Sequence, residues 1–192
     1  MILGGQTILN EVKAGNIKIT PFDESHINPN SYNLTLGNKL LVYGEARTVK
    51  NTQPSSHSHI VSRHITLDMK KDNPTSEIII PEEGLLLNPG TVYLGTTVET
   101  TFTEKYVPML EGRSSIGRLG LMVHVTAGFG DVGFNGKWTL EIVPTQPIII
   151  YPNVEIAQIY YHTVTDTSVK YTSRKYNNQD DVVSSKLYMD FE

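Results

Sequence analysis

The chain has 192 residues, with 16 Lys and Arg against 20 Asp and Glu for a formal net charge of −4, so no basic field argues for duplex nucleic acid. It contains no cysteine, which excludes disulfides, thiolate nucleophiles and Cys-based zinc or iron–sulfur sites. At 39% hydrophobic and 19% charged, residues 1–192 read as one folded domain large enough to bury its own core.

Met1-Ile2-Leu3 runs straight into Gly4-Gly5 without a basic start or a long apolar stretch, so no signal peptide is expected. Runs such as Leu85-Leu86-Leu87 and Ile148-Ile149-Ile150 are far short of a membrane span. The expectation is a cytoplasmic protein with no membrane or nucleic-acid partner.

In chain order, the first predicted element is a short amphipathic helix. Ile8, Leu9 and Val12 share its buried face, Thr7 is placed to cap it and Gly15 to end it. Strands follow at 17–19, at 32–36 before a Gly37-Asn38 turn, and at 40–43, 78–80 and 91–98. The polar stretch 48–73 reads as a long excursion with one strand at 64–67. Later strands are expected at 138–143, 148–151 and 156–163. Many short strands and few helices imply an all-β sandwich, barrel or jelly roll. The tail 172–192 ends in Leu187, Tyr188 and Phe191, which predicts that it docks on a surface.

Three segments carry groups suited to chemistry. Glu111-Gly-Arg-Ser-Ser-Ile-Gly-Arg118 sets two guanidinium groups and two hydroxyls among glycines, a composition that can hold phosphate oxygens; the plainer reading is a surface turn with ordinary ion pairs. Ala127 to Gly136 holds four glycines with Phe129, Asp131 and Phe134, which allows close approach to a sugar or base; the plainer reading is a long hairpin loop. On the strand from Trp138, Thr139, Glu141 and Val143 share a face, and a carboxylate among apolar neighbours is either an edge-strand side chain or an acid/base in a partly dry pocket. His57, His59 and His64 lack a spaced carboxylate and make a poor metal site. His124, between Val123 and Val125, reads as a satisfied core histidine.

Taken together, Glu111-Gly-Arg-Ser-Ser-Ile-Gly-Arg-Leu-Gly-Leu, Thr126-Ala-Gly-Phe, Asp131, Gly133-Phe-Asn-Gly and Thr139-Leu-Glu141 resemble the dCTP deaminase branch of the dUTPase superfamily. The likeness extends to the N-terminal helix, to Asn30-Ser31-Tyr32-Asn33-Leu34-Thr35-Leu36-Gly37, and to Tyr171, Lys175 and Gln179 in the tail. It implies an all-β, distorted jelly-roll or β-barrel subunit of the dUTPase-like type with a short N-terminal helix. A homotrimer with sites at subunit interfaces is implied too, with residues 172–192 closing over each site.

By motif position, Glu141 would be the general acid/base. Ser114, Arg118 and the carbonyl of Ala127 would hold the attacking water and the amine. Arg113 and Ser115 would grip phosphates with Tyr171, Lys175 and Gln179, while Ile116, Gly117, Thr139, Leu140 and Gln158 would complete the nucleotide site. Asp131 would bind the 3′-hydroxyl, and Phe134 would exclude a 2′-hydroxyl. The implied deamination uses no zinc, and Mg2+ would arrive on the triphosphate.

Members of that family that stop at dUTP carry His-Arg after the Thr-Ala. Those that continue to dUMP carry Gly-Trp or Gly-Phe, as Gly128-Phe129 does here. Gly128 is expected to leave room for a water at the α-phosphate, favouring the dUMP-forming reaction over release of dUTP, although His124-Val125-Thr126 looks more like the first group. A catalytically silent nucleotide-binding regulator and a β-sandwich interaction module are the readings of other classes. The family usually has Asp where this chain has Asn33, and Ile and Pro at Gly130 and Val132. These departures are expected to alter packing or a hydrogen bond at Asn33 and to loosen the loop carrying Asp131.

Overall fold

The computed structural model describes residues 1–50 and 57–192. The first element is helix α1 (Gly5–Lys13), which buries Ile8 and Leu9 and stops where Gly15 takes a φ of 78°, a conformation that glycine adopts without steric cost. Its N-cap is Gly4, with no side-chain cap. Thr7 therefore lies inside the first turn rather than capping it.

Fourteen strands run through the described residues. The first seven are β1 (Lys18–Thr20), β2 (Tyr32–Tyr43), β3 (Glu45–Val49), β4 (Ser58–Arg63), β5 (Thr75–Ile79), β6 (Leu85–Leu87) and β7 (Tyr93–Thr97). The rest are β8 (Thr100–Phe102), β9 (Tyr106–Gly112), β10 (Leu121–Val123), β11 (Asn135–Gly136), β12 (Thr139–Pro144), β13 (Ile148–Ile150) and β14 (Glu155–Thr163). A one-turn helix, α2 (Ser114–Gly117), follows β9.

The main sheet runs β10-β12-β7-β2-β14-β9, with β5 also paired to β2. Two smaller sheets, β1-β8-β11 and β13-β6-β4-β3, flank it. This is a mostly antiparallel, barrel-like all-β architecture, as the strand pattern predicted.

Strand β2 is the hub of the main sheet. Its first half pairs with β14, its pairing with β7 begins at Leu36 and resumes at Leu40, and from Lys39 it also pairs with β5. The Gly37-Asn38 turn does not form. Gly37 stays in the strand because a Cβ there would stand 2.9 Å from Thr96 Cγ2, and the ladder with β7 shifts register between Leu36 and Leu40. Glycine thus lets two strands cross closely.

Along β2 the residues Leu34, Leu36, Leu40 and Val42 are essentially fully buried, and they meet Leu110, Leu140, Ile142, Ile156 and Ile159 in one core. Each such side chain contributes roughly 1.5–3 kcal/mol by leaving water. In the excursion, the strand lies at Ser58–Arg63 and pairs with β3 and β6, whereas 64–67 is irregular. Residues 51–56 of that excursion lie outside the described residues.

Candidate active site

A cavity of about 520 Å³ opens on the face of β12 opposite the core. The alternation on β12 buries Leu140 and Ile142 and leaves Thr139 and Glu141 half-buried, and these last two line the cavity. Ala127, Asp131 and Phe134 come from the glycine-rich loop, and Tyr171 and Gln179 come from the tail. Leu140 points into the core instead of towards the cavity.

One wall is aromatic. The Phe134 ring packs on Trp138 with centroids 4.4 Å apart, and Tyr171 meets Phe134 edge-on at 6.1 Å. Trp138 Nε1 donates to Thr101 Oγ1 at 2.8 Å, which fixes the ring. Gly130 is packed rather than loose: a Cβ there would stand 2.6 Å from Trp138 Cη2 and 2.9 Å from the Pro108 carbonyl oxygen. The expected slack in the loop carrying Asp131 is filled by the indole.

His124 is not a satisfied core histidine. It is buried, takes a φ of 55°, and places Nδ1 2.5 Å from Glu141 Oε2. The approach lies off the ring N–H axis, so neither atom has an aligned hydrogen-bond partner. Its backbone N–H donates to the Glu141 carbonyl at 2.9 Å. A left-handed backbone is uncommon outside glycine, and here it turns the imidazole onto the carboxylate. The flanking Val123 and Val125 suggested a core role for His124, and the likeness of His124-Val125-Thr126 to the dUTP-releasing group did not point to its contact with Glu141.

The tail is docked. Gln179 makes a bridge to Gly136, its Nε2 donates to the Lys137 carbonyl at 2.5 Å, and Lys137 N–H donates to the Gln179 carbonyl at 2.9 Å. Val183 N–H donates to Thr139 Oγ1 at 3.1 Å, and Lys39 holds Asp181 at 2.5 Å. Asp181 is partly desolvated, which raises its pKa, but the Lys39 ammonium and the Val182 N–H outweigh this and hold it below the usual carboxylate value. Lys175 does not reach the cavity and pairs with Asp190 in the last 3-10 turn, Leu187–Asp190.

The Arg-Ser-Ser segment lies elsewhere. None of Arg113, Ser114, Ser115, Ile116, Gly117 and Arg118 lines the cavity. Ser114 and Ser115 sit on α2, with the residues of that helix exposed or half-exposed. Gln158 accepts a hydrogen bond from Ser31 Oγ at 3.1 Å, also away from the cavity. At Gly128 a Cβ would collide with the Leu110 carbonyl oxygen, so this position admits no side chain without a shift of β9. Its neighbour Phe129 is 71% exposed and forms part of the cavity rim. Tyr43, Leu67, Val92 and Tyr176 also line the cavity, and no chemical signal in the sequence marked them. Among the described residues no group of three or more His, Asp or Glu side chains converges as a metal cage.

A carboxylate beside an aromatic wall and a glycine-rich loop, with guanidinium and hydroxyl groups on a separate exposed turn, suits recognition of a polyanion bearing a flat base. The family model for dCTP deaminase-like proteins matches residues 2–164. The chain belongs to the dCTP deaminase-like family. Full-length relatives named "dCTP deaminase, dUMP-forming" include those of Hathewaya histolytica, 55% identical with all of both chains covered, and Clostridium beijerinckii, 56% identical over all of this chain and 99% of the relative. The Leptospira biflexa protein of that name is 53% identical over the same shares. The crystal structure of 2′-deoxycytidine 5′-triphosphate deaminase from Agrobacterium tumefaciens superposes with a TM-score of 0.60 at 19% identity, over 85% of this chain and 48% of that one. This chain therefore spans about half of that protein, and the match establishes the dCTP deaminase-like fold. No helix among the described residues is long and apolar enough to cross a membrane.

Proposed function

We propose that this protein deaminates dCTP and hydrolyses the triphosphate to give dUMP, ammonia and pyrophosphate. The observation that carries the reading is Glu141. It lines the cavity from β12 together with Ala127 and Phe134, and its Oε2 stands 2.5 Å from His124 Nδ1.

Water adds to C4 of cytosine as Glu141 takes its proton. The same carboxyl passes that proton to the ring at N3, takes a second from the new C4 hydroxyl as the carbonyl forms and hands it to the leaving amine, so that the C4–N4 bond breaks and ammonia departs. One shuttling carboxylate of this kind accounts for ~10²–10⁴ in rate. Asp131 on the cavity wall accepts from the 3′-hydroxyl, and Phe134 packs where a 2′-hydroxyl would project.

The site is completed by a second copy of the chain in a homotrimer. Supporting this, the Arg113–Arg118 turn lies outside its own chain's cavity, and beside it Leu119, Met122 and Val125 are 55%, 42% and 69% exposed. Facing another subunit's cavity, Ser114 and Arg118 would supply fixed dipoles where charge develops, and Arg113 and Ser115 would bind phosphate oxygens.

Mg2+ fits as an ion carried by the nucleotide, because the described residues offer it no cage of their own and this ion keeps phosphate and water ligands. Bound there, it neutralises the triphosphate. The test is incubation with dCTP and Mg2+ and separation of the products. Equal ammonia and pyrophosphate with dUMP is the expected outcome. Accumulating dUTP makes the enzyme monofunctional, and binding without turnover makes it a regulator.

A further inference from the structure

We infer that Glu155 is a positioning residue for the Arg113 guanidinium, holding it along one edge so that the other is presented to the substrate triphosphate. The inference rests on the proposed role of Arg113 as a phosphate ligand.

Arg113 Nη1 donates to the Glu155 carbonyl at 3.0 Å and stands 2.8 Å from Glu155 Oε2. Both contacts use the same nitrogen. Nε and Nη2 have no protein partner among the described residues, and the side chain is 31% exposed. A guanidinium carries five donors in a rigid planar fork. Pinned at Nη1, it keeps a two-donor edge free, which is the edge that grips phosphate oxygens in pairs.

Glu155 is itself fixed. Asn33 Nδ2 donates to Glu155 Oε2 at 2.7 Å, and Asn33 Oδ1 accepts from Asn28 Nδ2 at 2.7 Å. His26 approaches the other carboxylate oxygen at 3.7 Å, with its Nδ1 facing the Asn33 carbonyl at 3.2 Å. Asn33 is buried on β2, so its amide has little freedom. The geometry also accounts for asparagine at position 33. An aspartate there would set a second carboxylate at hydrogen-bond distance from Glu155, and two like charges cannot share that place. One carboxylate is needed to hold the arginine, and in this chain Glu155 supplies it from across the β2–β14 ladder.

The test is steady-state kinetics on the full-length protein with dCTP and Mg2+. Glu155→Ala is expected to raise KM roughly 10- to 100-fold, the scale of a displaced positioning group, while kcat changes far less. Arg113→Ala should raise KM as much, and the double variant should match Arg113→Ala alone, since coupled residues acting through one contact do not add. Asn33→Asp should raise KM, and Asn33→Asp with Glu155→Gln should restore it by leaving a single carboxylate. Unchanged KM in Arg113→Ala would overturn the phosphate role of Arg113 and this inference with it. A raised KM in Arg113→Ala with none in Glu155→Ala or Glu155→Gln overturns the inference alone. So do additive losses in the double variant, or a failed Asn33/Glu155 exchange. A merely structural role for Glu155 would lower the melting temperature and active fraction with KM unmoved.

Discussion

The tail can be loosened without touching its sequence, and Gly136 is the place to do it. This residue has a φ of 146°, and a Cβ there would stand 2.8 Å from the Gln179 carbonyl oxygen and 3.0 Å from its nitrogen. Gly136→Ala must therefore push Gln179 outward by several tenths of an ångström. The push weakens two backbone bonds that flank the bridge, Lys137 N–H to Gln179 O at 2.9 Å and Asn178 N–H to Asn135 O at 2.6 Å. At roughly 1 kcal/mol each, about 2 kcal/mol of docking is lost, which is ~30-fold in the docked-to-undocked ratio. Protease cleavage within 172–186 should accelerate by that order, because the cut reports the open fraction. KM for dCTP should rise and kcat should fall, since a lid both binds the substrate and excludes water. The left-handed φ at Gly136 also strains the alanine, so the melting temperature should fall as well, and cleavage and KM are read at a temperature where the fold is intact. Unaltered cleavage and KM in a variant whose fold is intact would refute the claim that this bridge clamps the tail.

Glu141→Gln should lower kcat by ~10²–10⁴ while nucleotide binding measured by calorimetry persists; retention of more than about a tenth of the rate refutes the acid/base role. Met122→Glu places a charge on the exposed apolar surface beside the Arg-Ser-Ser turn and should shift light scattering towards monomer with loss of activity, whereas an active, stable monomer sinks the shared site. Acid should release the tail late. The folded-state pKa of Asp181 lies below its ordinary value, so the docking it stabilises is complete above about pH 4 and is lost as pH falls through the depressed value. Protease sensitivity of the tail should accordingly stay flat from neutral pH down to about 4 and rise below it, and Asp181→Asn should remove that rise. Gly130→Ala should destabilise the fold by about 1–3 kcal/mol in chemical denaturation, as overpacking does, and combining it with Trp138→Phe should not restore stability.

In the sequence, Glu141, Asp131 and Phe134 are marked by their local composition with a bland alternative beside each, and Tyr171 and Gln179 only through the family resemblance, yet all five line one cavity. Their distribution in space was less legible. Nothing in the local pattern of Arg113 to Arg118 says that the turn faces away from its own chain's cavity, since that depends on how α2 follows β9. Gly37-Asn38 is a turn pair by local preference, but the strand opposite needs a residue without a Cβ, and tertiary packing won. His124 was misread for the same reason. Two flanking valines signal a buried strand residue, and only the φ of 55° turns its ring towards Glu141. Leu67 and Val92 reached the cavity wall from segments whose composition carried no chemical signal.

The departures from the family pattern differ in kind, and the structure separates them. At position 33 the constraint is between side chains: the amide of Asn33 and the carboxylate of Glu155 meet at 2.7 Å, so charge can be exchanged between them while the backbone stays still. At position 130 the constraint is partly main chain. Shrinking Trp138 would remove the contact at 2.6 Å but not the Pro108 carbonyl oxygen at 2.9 Å, to which Gly130 N–H is itself bonded. A side-chain clash can be relieved by a partner substitution, whereas a backbone clash requires the strand to move. The loop carrying Asp131 is therefore set by the course of β9 beneath it, and Trp138 fills the space that this course leaves. The aromatic wall of the cavity follows from the same backbone path, which makes Gly130 a determinant of the site's shape although it presents no side chain to the substrate.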